Sequence, residues 1–178
     1  MNRQPLIDQI PALRRYARAL TGDAWVADDL VQDTLERACA KWRLWLAGSD
    51  LRAWLFTIMH NLFVSQVRHR VRQGDLASPL DLAGLAEPAA PASCADSAID
   101  LQRCLLRLPE EQRVVLLLVT LEDLSYAEVA RITGVPTGTV MSRLSRARSR
   151  LQELMDASAA SPARAAAESA APSLRRLK

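Results

Sequence analysis

Aromatic residues are scarce in this chain. Phenylalanine, tyrosine and tryptophan together make up 4% of its 178 residues. Histidine occurs twice, at His60 and His69, and cysteine three times, at Cys39, Cys94 and Cys104. An odd number of widely spaced cysteines argues against a disulfide framework and for reduced thiols, with Cys39 expected on a core-facing stripe. Neither histidine stands at zinc-ligand spacing from its partner or from a cysteine pair, so no metal or cofactor is expected. No segment approaches the ~20 consecutive apolar residues of a membrane span; the longest apolar run, Val114 to Val119, is far shorter. The opening Met-Asn-Arg-Gln-Pro-Leu-Ile-Asp lacks the charged-then-apolar layout of a secretory signal. A cytoplasmic location without membrane insertion is therefore expected. No nucleophile, metal cluster or phosphate-cradling loop is legible, so enzymatic activity is not expected.

What the chain has in plenty is alanine, leucine and arginine, a composition that favours helix. The net charge of +3 hides an uneven distribution. Residues 1–73 carry 11 Lys/Arg against 7 Asp/Glu, whereas residues 74–100 carry none against 5. Residues 101–155 return to 8 against 6. Two basic lobes are thus joined by an acidic strap, and basic lobes suggest nucleic acid. The strap, residues 74–97, contains Pro79, Pro88 and Pro91 among small and acidic residues and reads as a flexible linker. Residues 156–178 are Ala/Ser/Pro-rich and read as a low-complexity, disordered tail. The expected domains are therefore 1–73 and 98–155.

The first lobe reads as helical throughout. A first helix from about Leu6 to Leu20 stops at Thr21-Gly22-Asp23. A second runs from about Ala24 to Leu46. At 100° steps, Leu30, Val31, Thr34, Leu35, Ala38 and Cys39 share one face, and Asp29, Gln32, Asp33 and Glu36 lie opposite. After a Gly48-Ser49-Asp50 loop, a third helix runs from about Leu51 to Arg72. It is apolar on two sides and therefore sandwiched between neighbours, and it ends in Arg68, His69, Arg70 and Arg72. All four tryptophans, Trp25, Trp42, Trp45 and Trp54, fall in this lobe. Trp45 and Trp54 flank the Gly48 loop and could line a pocket for an unstacked base. The polar stripe reads equally as a solvated helix face, and the basic helix end equally as a complement to the helix dipole.

The second lobe has shorter segments. Ala98 to Arg107 reads as helix, and Leu108-Pro109-Glu110-Glu111 as a helix start. Val114 to Leu121 has strand-like composition but follows that start and is read as helix. Ser125-Tyr126-Ala127-Glu128 has capping-box spacing, Thr133 to Pro136 is a tight break, and Thr137 to Leu154 is the last helix. A short capped helix, a Gly-containing turn and a longer Arg-rich helix match the helix-turn-helix layout. Val140, Leu144, Ala147, Leu151 and Leu154 form the apolar stripe of the last helix. Ser142, Ser145, Arg146 and Ser149 lie opposite, flanked by Met141, Arg143 and Arg150. Small residues with arginines suit a helix entering the major groove; a solvated basic face on an ordinary bundle is the plainer alternative.

These motifs together resemble a known family. Ala27-Asp28-Asp29-Leu30-Val31-Gln32-Asp33-Thr34 resembles region 2.2 of extracytoplasmic-function sigma factors, and Arg52-Ala53-Trp54-Leu55-Phe56-Thr57-Ile58 with Asn61 resembles regions 2.3 and 2.4. Leu108 to Arg113, Ser125 to Ala130 and Gly138 to Arg148 resemble region 4 and its recognition helix. The resemblance spans about residues 8–155. It implies an all-α fold of two small helical domains, a region 2 bundle and a region 4 helix-turn-helix, joined by a flexible linker. It implies that Asp29, Gln32, Asp33 and Glu36 bind the clamp helices of the largest subunit of core RNA polymerase. Trp54, Asn61, Arg68 and Arg70 would serve the minus-10 element of promoter DNA, and Thr139, Ser142, Arg143, Arg146 and Arg148 the minus-35 element. An anti-sigma factor is implied as a further partner, and a stress regulon as the target. Met141 and Ser145 depart from the family pattern, so promoter sequence does not carry over. Alternatives are a stand-alone helix-turn-helix regulator, which would leave the first lobe idle, a sigma mimic that binds a regulator and not DNA, and, more distantly, a small helical enzyme.

Overall fold

The computed structural model describes residues 4–42, 45, 50–72 and 94–159. They form eight α-helices and, among the described residues, no strand. In chain order these are α1 (Gln4–Ile7), α2 (Ile10–Thr21), α3 (Ala24–Ala40), α4 (Leu51–Arg72), α5 (Cys94–Leu106), α6 (Glu110–Thr120), α7 (Tyr126–Thr133) and α8 (Thr137–Ala159). The first four make one lobe and the last four a second.

Local chemistry sets most boundaries. The first expected helix is split, because Pro11 can neither donate a backbone hydrogen bond nor sit mid-helix and instead opens α2. That helix ends at Gly22, whose φ of 75° is the left-handed conformation a C-terminal cap requires. Asp23 then caps α3 by accepting from the Val26 N–H at 2.9 Å. Helix α3 stops at Ala40, not Leu46, with Lys41 as its cap residue. Helix α4 has the expected bounds. The strap differs at its far end: α5 begins at Cys94, four residues before the expected Ala98. The rest of the strap, 74–93, the Gly48-Ser49 loop and the tail from residue 160 lie outside the described residues. Of that tail, Asp156 to Ala159 continue α8 as helix.

Packing follows the periodicities. Leu13, Tyr16, Ala17 and Leu20 bury one face of α2, and Ala27, Leu30, Val31, Thr34 and Ala38 one face of α3. Thr34 is tolerated there because its hydroxyl donates to the Leu30 carbonyl at 2.7 Å. Cys39, expected on that face, is exposed; one position past Ala38, it has rotated out of the buried stripe. Helix α4 is buried on two sides through Leu55, Phe56, Ile58, Met59, Leu62 and Phe63, with α3 against one side and α7 against the other. Helix α6 buries every residue from Arg113 to Leu118. A helix apolar all round must be enclosed, and α6 packs against α2, α5, α7 and α8. Burial, not intrinsic preference, overrides its β-branched composition.

The two lobes share one apolar core. Across the seam, α2 meets α5 and α6, and α4 meets α7. Tyr16 packs edge-on against Phe56 with ring centroids 5.2 Å apart. Gln102 of α5 donates to the Ala19 carbonyl at 3.1 Å. The carboxylate of Glu122, fully buried, receives Arg15 of α2 at 3.0 Å and Arg52 of α4 at 2.7 Å. His60, Val64, Val67 and Arg68 of α4 face Glu110, Glu111, Val114, Thr133, Val135 and Arg143 across a cavity of about 400 Å³. Burial, reinforced by the Arg143 cation, holds the His60 imidazole below its ordinary value of 6.5.

Two outcomes follow for stability. Ser125 and Glu128 form a reciprocal capping box at the start of α7, so Ser125→Ala should cost about 1 kcal/mol in a denaturant titration. His60, with its pKa depressed, binds fewer protons folded than unfolded, so stability should fall as the pH drops through 6.5. Glu110, raised mainly by burial, contributes in the opposite sense, losing stability as the pH rises through its folded pKa. Thermal unfolding at about pH 7.5 and about pH 5.5 should therefore show a smaller acid-side loss for His60→Gln than for the native chain.

Candidate nucleic-acid and partner interfaces

The second lobe presents a helix-turn-helix built from α7, the Gly134 turn and α8. Gly134 closes α7 with φ of 70°, and its N–H donates to the Ala130 carbonyl. A Cβ there would meet nothing within 4 Å; glycine is favoured by the left-handed backbone, not by space. Val140 N–H then bonds to the Pro136 carbonyl at 3.1 Å, starting α8. Val140, Leu144 and Ala147 are buried, with Leu151 and Leu154 packed against the same core. That anchors the helix and turns Ser142, Ser145, Arg146, Arg148, Ser149 and Arg150 to the exterior. Ser142 donates to the Thr139 carbonyl at 3.0 Å, and Thr139 itself is half-buried at the turn. Tyr126, Met141, Leu144, Ser145, Arg148 and Ser149 line a shallow groove of about 270 Å³ on this exterior face.

Arg143 is placed differently. Its side chain is 22% exposed, pairs with the Glu111 carboxylate of α6, and lines the cavity between the lobes. Of the five residues expected to act together on α8, Ser142 and Arg146 share an open face, while Arg148, also exposed, lies on the opposite flank beside Met141. Thr139 supports the turn and Arg143 is engaged elsewhere.

On α3, Asp29, Gln32 and Glu36 are exposed and Asp33 is half-buried. Gln32 donates to Glu36 across one turn at 3.1 Å. The neighbouring Asp28 is committed within the lobe, to Arg14 at 3.3 Å and Arg18 at 3.8 Å. The stripe continues to a residue that sequence reasoning left unassigned. Trp25 is 87% exposed and stands four residues before Asp29 and eleven before Glu36, which places it on their face of the helix. Its position on the polar stripe was the available signal, since a buried tryptophan would fall among Ala27, Leu30 and Val31.

On α4, Trp54, Asn61 and Arg68 recur at seven-residue spacing and so lie along one side. Trp54 is partly buried against the core, while Asn61 and Arg68 are exposed. Arg70, two positions further on, is exposed but rotated to the far side of the helix, and is not brought together with the other three. Trp45 stacks at a tilt on Trp42, with centroids 5.0 Å apart. No group of three or more His, Cys, Asp or Glu residues is arranged to hold a metal among the described residues. No helix among them is long and apolar enough to cross a membrane.

Both lobes match known families. Residues 6–60 match the Sigma2 domain of PhyR, and residues 98–151 match Sigma-70, region 4. The chain is 41% identical over 154 residues to the ECF RNA polymerase sigma factor EcfG of Rhodopseudomonas palustris, covering 86% of this chain and 84% of that protein. It is 36% identical to the ECF sigma factor SigM of Mycobacterium tuberculosis, over 80% of this chain and 71% of that one. Its fold is similar to the sigma factor RpoE of Bartonella quintana, solved in complex with the anti-sigma factor NepR. That match has a TM-score of 0.72 and 39% identity, over 86% of this chain and 96% of the other. CnrH, solved with the cytosolic domain of CnrY, gives a TM-score of 0.64 at 27% identity, with 86% of each chain covered. With region 2 and region 4 both present in order and a relative of this identity spanning most of the chain, the protein belongs to the extracytoplasmic-function RNA polymerase sigma factors, initiation factors that are not enzymes.

Proposed function

We propose that α3 docks the chain on core RNA polymerase, that α4 engages the minus-10 element and that α8 reads the minus-35 element. The observation that carries this is the orientation of α8. Its apolar stripe is buried, so Ser142, Arg146 and Arg148 have to face outward, with small side chains between the arginines. Such a helix can enter a major groove with its arginines on phosphates or base edges. The exposed Asp29, Gln32 and Glu36, with Asp33 beside them, form the patch assigned to the clamp helices of the polymerase largest subunit. Asn61 and Arg68 lie along α4 with Trp54 and suit single-stranded DNA: a polar edge, a phosphate-binding cation and a ring. Arg70 would add a phosphate contact only from the far side of the helix, which makes it the weakest member of the set. Arg143 joins the minus-35 contact only after leaving Glu111.

Binding energy, not chemistry, would separate the strands. Phosphate contacts hold the duplex, and an unstacked base that gains a protein surface offsets a melting cost of a few kcal/mol. RpoE of Bartonella quintana was solved in complex with an anti-sigma factor, and a comparable partner would regulate this chain, in the cytoplasm and over a stress regulon. The first lobe also matches a domain of PhyR, a match that a sigma mimic would equally give. The outward arginines of α8 favour the promoter-binding reading, since a mimic has no need of phosphate contacts.

Run-off transcription with core polymerase tests the whole reading: a promoter-dependent product is expected, and absence of both product and core binding would overturn it. Asp29→Lys combined with Glu36→Lys should weaken core binding more than tenfold in a pull-down titration while leaving helicity unchanged. Arg146→Ala or Arg148→Ala should weaken promoter binding across sequences. Each should also lower the slope of log affinity against log salt by about 0.9 if it removes one phosphate contact.

A further inference from the structure

We propose that Met141 and Tyr126, two exposed side chains that the promoter reading leaves unused, form a contact for the C5-methyl group of a thymine in the major groove and so fix one base of the minus-35 element. The inference deepens the minus-35 reading of α8 and rests on it. Met141 is 54% exposed and Tyr126 38%. They belong to different helices, α8 and α7, and meet in the groove of about 270 Å³ that the buried Leu144 also lines. A single exposed apolar side chain is ordinary on a protein surface. Two that converge from separate helices on one groove, beside a face proposed to read DNA, define a place for an apolar group.

Local structure puts this contact at the end of α8 that would meet bases. The Ser125 and Glu128 capping box fixes the start of α7 and makes Tyr126 its first residue. The turn at Gly134 and the bond from the Val140 N–H to the Pro136 carbonyl start α8, and Met141 falls within its second turn. In a helix-turn-helix the early residues of the second helix reach base edges while the first helix crosses the backbone. Helical rotation sets Met141 between the buried Leu144 and the exposed Ser145. It therefore stands at the border between the core and the open face. One turn and two turns further on, Ser145, Arg148 and Ser149 complete the groove.

The chemistry of the lining selects the occupant. Among the described residues that border the groove, Arg148 is the one charge and none is acidic. A polyanion fits that balance, with its phosphates met by Arg148 and by the Tyr126 hydroxyl. The volume lies under the ~300 Å³ at which small-molecule sites begin, yet one methyl group fits. In the major groove thymine alone presents a methyl, whereas cytosine and adenine present amino donors and guanine two acceptors. The Met141 thioether and the Tyr126 ring leave such polar groups poorly satisfied, and that loss disfavours the other bases. Against a methyl they lose nothing, and the unbranched, polarisable methionine follows its contour. Ser145 alongside offers a hydroxyl that can donate to thymine O4. Ser142, Ser145 and Ser149 are small enough to let the helix approach the bases closely.

The test uses the full chain assembled with core polymerase. Holoenzyme first selects duplex fragments from a pool randomised over the minus-35 window, and the selected fragments should share a fixed A·T pair. Deoxyuridine, which differs from thymidine by the methyl alone, then replaces each thymine of the window in turn, with affinity read by anisotropy titration. At one position the native chain should bind the uracil fragment about fourfold more weakly, the worth of one buried methyl. Met141→Ala, which places a good helix former at an exposed site, should bind thymine and uracil fragments alike. Met141→Leu, still apolar, should keep the difference. Equal native affinity for thymine and uracil at every position would overturn the inference, as would selection without a fixed A·T pair. A uracil effect that survives Met141→Ala undiminished would overturn it too. If holoenzyme selects no fragment, the minus-35 reading itself fails; selective binding that ignores the methyl overturns this inference alone.

Discussion

Everything in this molecule is arranged around the enclosure of α6. A helix that buries all residues from Arg113 to Leu118 has no face to give to water and must be wrapped on every side. Helices α5, α7 and α8 wrap part of it, and α2 of the other lobe closes the rest. The helix-turn-helix is therefore not an isolated module with a dry underside. Its underside is also the surface on which the first lobe rests. The same burial that orients α8, and so exposes Arg146 and Arg148, leaves apolar surface that some partner has to cover.

That requirement couples recognition to assembly. In this arrangement α2 covers α6 and α4 packs on α7, and α4 is the helix assigned to the minus-10 element. Packing on the second lobe and reading DNA thus draw on neighbouring faces of α4. His60, Val64, Val67 and Arg68 border the cavity, while Trp54, Asn61 and Arg68 run along the adjacent side. Arg68 belongs to both. Arg68 thus ties the contact between the lobes to the face proposed for DNA.

Much of the fold was legible from local patterns. The bounds of α4, the Gly22 and Gly134 helix ends, the Ser125 capping box and the helical state of the Val114 run all follow from periodicity and end chemistry, which act over a few residues. The outward face of α8 was legible for the same reason: once Val140, Leu144 and Ala147 are assigned inward, Ser142, Ser145, Arg146 and Ser149 are left outside. Errors arose where a pattern was extended past its evidence, as for Cys39, which sits one step beyond the buried stripe, and for α3, which ends six residues early. The seam was illegible. Arg15 and Glu122 are 107 residues apart, and Arg52 and Glu122 are 70 apart; no periodicity joins them, and each alone reads as an ordinary surface charge. The resemblance to the family's recognition helix implied a DNA role for Arg143, and such a likeness carries no information about Glu111, which another helix brings within reach.

Gly22 shows how tightly these levels are tied. It ends α2 in a conformation that other residues seldom adopt, and a Cβ built on it would come within 2.5 Å of Leu106 Cδ1, at the end of α5. One hydrogen atom in place of a methyl group therefore serves two masters, a helix terminus in one lobe and the seating of a leucine from the other. A replacement here would be felt as backbone strain and would oblige the end of the Leu106 side chain to turn aside.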